Sequence, residues 1–161
     1  MRRVTAFLSV AAVVLMTAGV VAQAKPSFAG EWKKATAPGQ GQGEPGVDLT
    51  ITQSATAMTV EYRAGAQAPA PVTLTYQLDG SASKGMMAGR GGGAPTEPVS
   101  KAMWAANALI VTTATGAGEE KRTFSMEGGD LVVETSAPTR PGGAPAVTRV
   151  TYKRYERGHG G

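Results

Sequence analysis

The side chains able to do chemistry in this sequence are few and far apart. The single histidine, His159, lies between glycines in the C-terminal tail, and there is no cysteine. Ser–His and Cys–His nucleophile pairs and histidine-based metal sites therefore have no residues to build them. The 12 acidic residues are spread about one to a segment. Their closest approaches to a cluster, Glu119-Glu120 and Glu44 with Asp48, read as exposed turns. The Asp/Asn-dense loops that calcium favours are missing. A paired-carboxylate hydrolase would need two acids converging across strands, which spacing alone leaves open. The run Gly85-Met-Met-Ala-Gly-Arg-Gly-Gly-Gly lacks the Gly-Lys-Ser/Thr ending of a phosphate loop and opens no helix. It reads as a surface loop, with Met86, Met87 and Arg90 able to form an adaptable contact. No catalytic residue, metal site or cofactor site is expected.

What remains is a set of apolar and aromatic side chains whose spacing has a period of two. Met58 shares a face with Val60 and Tyr62, and Tyr76 with Val72, Leu74 and Leu78. Trp104 pairs with Ala102, and Phe124 with Met126. Alternation of this kind places them on the inner face of strands, with Thr, Glu and Arg on the wet face. Two uses fit them. They fill a core, as aromatics usually do, or they line a pocket, since a barrel of roughly eight strands can hold one small ligand.

The elements that must carry these residues are best seen in 99–136. Val-Ser-Lys-Ala-Met-Trp, Leu-Ile-Val-Thr-Thr, Arg-Thr-Phe-Ser-Met-Glu and Asp-Leu-Val-Val-Glu-Thr follow one another with short turns between them, and Gly128-Gly129 suits a two-residue hairpin. Further strands are expected around Phe28–Lys33, Val47–Gln53, Met58–Arg63, Val72–Leu78 and Val147–Glu156. Loops are expected over 38–46, 64–71, Ser81–Pro98 and 137–146, where Gly, Pro and small residues gather. No helical periodicity holds for three turns anywhere after residue 24. The pattern predicts an all-β fold, an antiparallel up-and-down meander of about 8–9 strands, closed into a barrel that removes its edges. A two-sheet sandwich is the competing arrangement.

The N-terminus carries a separate message. Arg2 and Arg3 precede an apolar run over 4–21, and Ala22-Gln23-Ala24 supplies a small-x-small cleavage site. Residues 1–24 are expected to be a cleaved signal peptide, placing the product in the periplasm or outside the cell with no membrane span left. Residues 25–157 then form one domain without a disulfide, and 158–161 a disordered tail. Loss of Arg2 and Arg3 takes two charges from the formal +4. Basic residues are otherwise interspersed with acids, apart from Lys153, Arg154 and Arg157, so a nucleic-acid partner is not expected.

Phe28-Ala-Gly-Glu-Trp resembles the Gly-x-Trp signature that opens the first strand of lipocalins and related calycin barrels. The Leu-Thr-Ile-Thr-Gln and Tyr-Gln-Leu-Asp-Gly stretches and the Met-Trp…Leu-Ile-Val hairpin are similar to uncharacterised bacterial exported proteins of that kind. The resemblance implies that Gly30 and Trp32 close one end of the barrel, with Arg154 from the last strand packed on the Trp. It also implies a non-catalytic, monomeric protein binding a small, largely apolar molecule, with Met58, Tyr62, Tyr76, Trp104 and Phe124 as the interior residues. The alternative is a filled barrel that meets a protein of the cell envelope through the Ser81–Pro98 loop.

Overall fold

A computed structural model describes residues 24–35, 48–63, 72–85 and 98–156. The expected signal segment up to residue 23, the loops over 38–46 and 64–71, and the tail over 158–161 lie outside the described residues, as does 86–97 of the Gly-rich loop. Ten strands are present: β1 (Gly30–Lys34), β2 (Leu49–Gln53), β3 (Ala57–Tyr62), β4 (Val72–Gln77), β5 (Ala82–Lys84), β6 (Val99–Ala105), β7 (Ala108–Thr115), β8 (Gly118–Glu127), β9 (Asp130–Pro138) and β10 (Pro145–Arg154). They form one sheet in the order β4-β3-β2-β1-β10-β9-β8-β7-β6-β5, and every pairing is antiparallel. Chain neighbours pair everywhere except between β4 and β5, and the first strand pairs with the last, Trp32 opposite Arg154. β4 comes alongside β5 and β6 without a hydrogen-bonded ladder, so the barrel is nearly closed. The single continuous sheet excludes the two-sheet sandwich.

Three expectations need correction. The strand count is ten rather than eight or nine, because Ala82–Lys84 pairs with β6 inside the stretch read as loop. Three residues are too short to show an alternation, yet Ser83 is buried and its hydroxyl donates to the Ser100 carbonyl at 3.2 Å. Glu119 and Glu120 are not a turn but the second and third residues of β8, paired with Ala114 and Thr113. Residues 137, 138, 145 and 146 belong to strands as well, since β9 and β10 pair up to Pro138 opposite Pro145. Proline is tolerated at that strand end, where no ladder donor is required of it.

The hairpins are set by local chemistry. Gly128 and Gly129 both take positive φ, 59° and 93°, the handedness that a two-residue turn between right-twisted strands requires. Ala106, at the turn between β6 and β7, adopts φ 52° without being glycine, a conformation that costs an L-residue roughly 1–2 kcal/mol. Between β4 and β5 the Asp79 carboxylate accepts from the Ser81 N–H at 2.9 Å and hydroxyl at 2.6 Å. These bonds hold its carboxyl below the usual carboxylate range.

One end of the barrel, where β1, β3, β7 and β9 begin and β2, β6, β8 and β10 finish, is plugged by the chain preceding β1. Phe28 is fully buried, its ring 5.8 Å from that of Trp104 and 6.2 Å from that of Phe124. Its backbone is tied on both sides. The Phe28 N–H donates to Gln53 Oε1 at 2.8 Å, and its carbonyl accepts from Trp32 Nε1 at 2.9 Å. Trp32 is itself completely buried, and the Arg154 guanidinium lies 4.7 Å from its ring centre. Arg154 fits there because Gly30 has no side chain. A Cβ on Gly30 would stand 2.6 Å from Arg154 Nη1, and the backbone there has φ +148°. Trp32→Ala is expected to lower stability by about 3–5 kcal/mol in a urea melt, the usual cost of emptying a buried tryptophan site. A loss below about 1 kcal/mol would show that the base does not depend on it.

Candidate functional site

β8 turns Glu120, Arg122, Phe124 and Met126 to one face, and that inner face is unusual. Phe124 is fully buried and Met126 packs against the core, but toward the start of the strand the next two positions on that face are Arg122 and Glu120. Arg122 stands between Val111 on β7 and Thr135 on β9. The strand pairing thus carries a guanidinium into the barrel. There its Nε meets Glu120 Oε1 at 2.7 Å, the two side chains being 19% and 21% exposed. Its Nη1 donates to the Tyr62 hydroxyl at 3.2 Å, and the guanidinium carbon lies 5.6 Å from the centre of the Tyr62 ring. Tyr62 is delivered by the last position of β3, two residues beyond the fully buried Val60.

Two more tyrosines belong to the same electrostatic neighbourhood. Tyr76 on β4 is fully buried, and Tyr152 on β10 is packed against the core. Burial pushes all three phenols up. For Tyr62, the neighbouring Arg122 partly offsets that effect. For Tyr76, burial comes first and the proximity of Tyr62 adds to it. Tyr152 is pushed up to about 12 by burial, followed by Tyr62 and Asp48. Burial opposes the charge on Arg122, but Tyr62, Tyr76 and Glu120 outweigh it and raise its pKa. The cluster holds one cation, one anion and three neutral hydroxyls. A polar seam continues from it along the inner wall. Thr113 is paired with Glu120, the Thr113 and Ser100 hydroxyls share a hydrogen bond of 2.8 Å, and Ser100 leads to Ser83.

The residues singled out from sequence therefore divide into two groups. Trp104 and Phe124 pack around Phe28 at the base, Trp104 with the Lys25 ammonium 5.4 Å from its ring. Met58 is fully buried in the core. Tyr62 and Tyr76 join Arg122. Gly30, Trp32 and Arg154 meet at the base. Sequence reasoning passes over Arg122, Glu120 and Tyr152 as site residues. A signal for Arg122 is nonetheless present, because it sits two residues from Phe124 on the face that the alternation turns inward. Among the described residues, no group of three His, Cys, Asp or Glu side chains converges, and no helix is long and apolar enough to cross a membrane.

No protein-family model and no curated protein sequence matches this chain. Solved structures do. A mutant of the fluorescent protein UnaG superposes with a TM-score of 0.52 at 20% identity, over 68% of this chain and 71% of that one. The fatty-acid-binding protein of Manduca sexta matches with a TM-score of 0.46 at 17% identity, over 65% of this chain and 70% of that one. At such identities the UnaG likeness establishes the fold alone, a calycin-like barrel.

Raised phenol pKa values carry a stability consequence with a definite sign. A tyrosine whose folded pKa exceeds its unfolded value holds its proton more tightly when folded. Its contribution is complete below about pH 10 and is lost as pH rises through the folded value. With Tyr62, Tyr76 and Tyr152 all raised, the urea midpoint is expected to fall steeply between about pH 10 and 12. Tyrosinate absorbance from these residues should appear with unfolding. Its full appearance well before the unfolding transition would contradict the burial described.

Proposed function

We propose that this chain is an exported, non-catalytic, lipocalin-like protein that holds a small, largely apolar molecule inside its barrel. The observation that carries this reading is the Arg122–Glu120–Tyr62 cluster on the inner wall. Taking charge out of water is costly, and a barrel that only had to be filled would be served as well by apolar side chains at those positions. Inward polar groups set into an otherwise apolar wall are the arrangement by which pockets orient a ligand. In this reading Tyr62 and Tyr76 face the polar end of the ligand, and Met58, Trp104 and Phe124 bound the interior toward the base. Gly30, Trp32 and Arg154 seal that base. The leader over 1–24 is removed, 25–157 act as one domain, and the product works as a monomer in the periplasm or outside the cell.

Native mass spectrometry of the protein purified from that compartment tests the proposal. The expected result is a monomeric polypeptide beginning at Lys25 with an additional bound mass that disappears on denaturation. A bare polypeptide mass, together with tryptophan fluorescence indifferent to a panel of lipids and small aromatic compounds, would overturn ligand binding. A mass that retains residues 1–24 would overturn the export reading.

A further inference from the structure

The charge balance of the inner cluster says which kind of ligand head group it can accept. Arg122 is the cation of the cluster, and Glu120 already matches it at 2.7 Å with about four-fifths of each side chain out of solvent. The groups facing the pair from other strands are Tyr62 on β3, Tyr76 on β4 and Tyr152 on β10, and burial keeps each of these phenols protonated well above neutral pH. Asp48 adds a negative influence on the Tyr152 side. Among the described residues, the site therefore has no positive charge to spare. A ligand carboxylate brought against Arg122 would stand beside Glu120 in a poorly hydrated space. Two carboxylates sharing one such site disfavour each other's ionised forms. A cationic head would face the same conflict with Arg122.

An uncharged group meets neither obstacle. Guanidinium N–H groups donate, carboxylate oxygens accept, and tyrosine hydroxyls do both. The cluster thus presents donors and acceptors side by side with no net charge. We propose that it recognises a neutral head group that both donates and accepts hydrogen bonds, such as a carboxamide, lactam or alcohol, and discriminates against carboxylates. This deepens the ligand-binding reading above and rests on it. Glu120 is a specificity-determining residue in this scheme, since its charge occupies the guanidinium that an acid would otherwise claim.

Three probes sharing one alkyl chain test it: decanamide, decan-1-ol and decanoate, titrated into the mature protein at pH 8 by calorimetry. Decanamide is expected to bind at least about tenfold more tightly than decanoate, the scale on which a difference of one pKa unit in charge compatibility reads out. In Glu120→Gln, an isosteric change, Arg122 loses its matching charge and the preference should shrink or reverse toward decanoate. A thermal melt reports whether that variant is folded, and the wild-type comparison decides the matter without it. Decanoate binding as tightly as decanamide in the wild type would overturn the head-group assignment, as would a preference unchanged by Glu120→Gln. Both results leave ligand binding intact. Failure of all three probes to bind would overturn the head-group assignment together with the ligand-binding reading.

Discussion

The pairing of the first strand with the last is the constraint on which this molecule depends. Every other ladder joins strands adjacent in the chain, so a meander could form progressively by pairing chain neighbours, each across a loop far smaller than the one that closes the barrel. Bringing β1 against β10 instead joins residues as far apart as Ala29 and Arg154, 125 positions distant. That step carries the largest loop-closure entropy in the fold. Only three residue pairs make the ladder, Trp32 with Arg154, Lys33 with Lys153 and Lys34 with Tyr152. Side chains supply what so short a ladder lacks. The Arg154 guanidinium covers the Trp32 ring, Gly30 leaves room for it, and Trp32 in turn holds the Phe28 carbonyl. The residues that close the barrel also plug its base.

Closure there makes the remaining break in the sheet tolerable. Between β4 and β5 no ladder forms, and the two sides meet through packing. A Cβ on Gly85 would lie 2.7 Å from Leu74 Cδ2, so the absence of a side chain at Gly85 is what lets Leu74 seat against this seam. The interior is consequently zoned. Aromatic rings fill the base around Phe28, whereas the inner wall over β8, β7 and β6 carries Arg122, Glu120, Thr113 and Ser100.

Most of the architecture is legible in the order of the residues. Val47 to Gln53, Met58 to Arg63, Val72 to Leu78 and the hairpins of 99–136 alternate so regularly that their strands and inward faces follow from the pattern. The pattern fails where it has no length to express itself or where composition misleads. Ala82–Lys84 is too short to alternate and is embedded in glycine-rich sequence. Glu119-Glu120 looks like a solvated turn because two adjacent acids usually are one. In a strand, however, successive side chains point to opposite faces, so one of the two had to turn inward once β8 extended to Gly118. Arg122 escapes notice for a related reason: an arginine next to an apolar run reads as its outward end.

Sequence by itself determined the class of fold, the antiparallel succession of strands and the identity of the core residues. These depend on side-chain periodicity and turn chemistry, which are properties of a few consecutive residues. Tertiary structure alone decided where β4 and β5 part, and that Arg122 of β8 would find Tyr62 of β3, 60 positions away. Such neighbours arise from the tilt and closure of the whole sheet. The ion-pair partner of Arg122 lies two residues away on its own strand, but the tyrosine hydroxyl that completes its surroundings arrives from a distant one, and no local stretch of sequence contains that information.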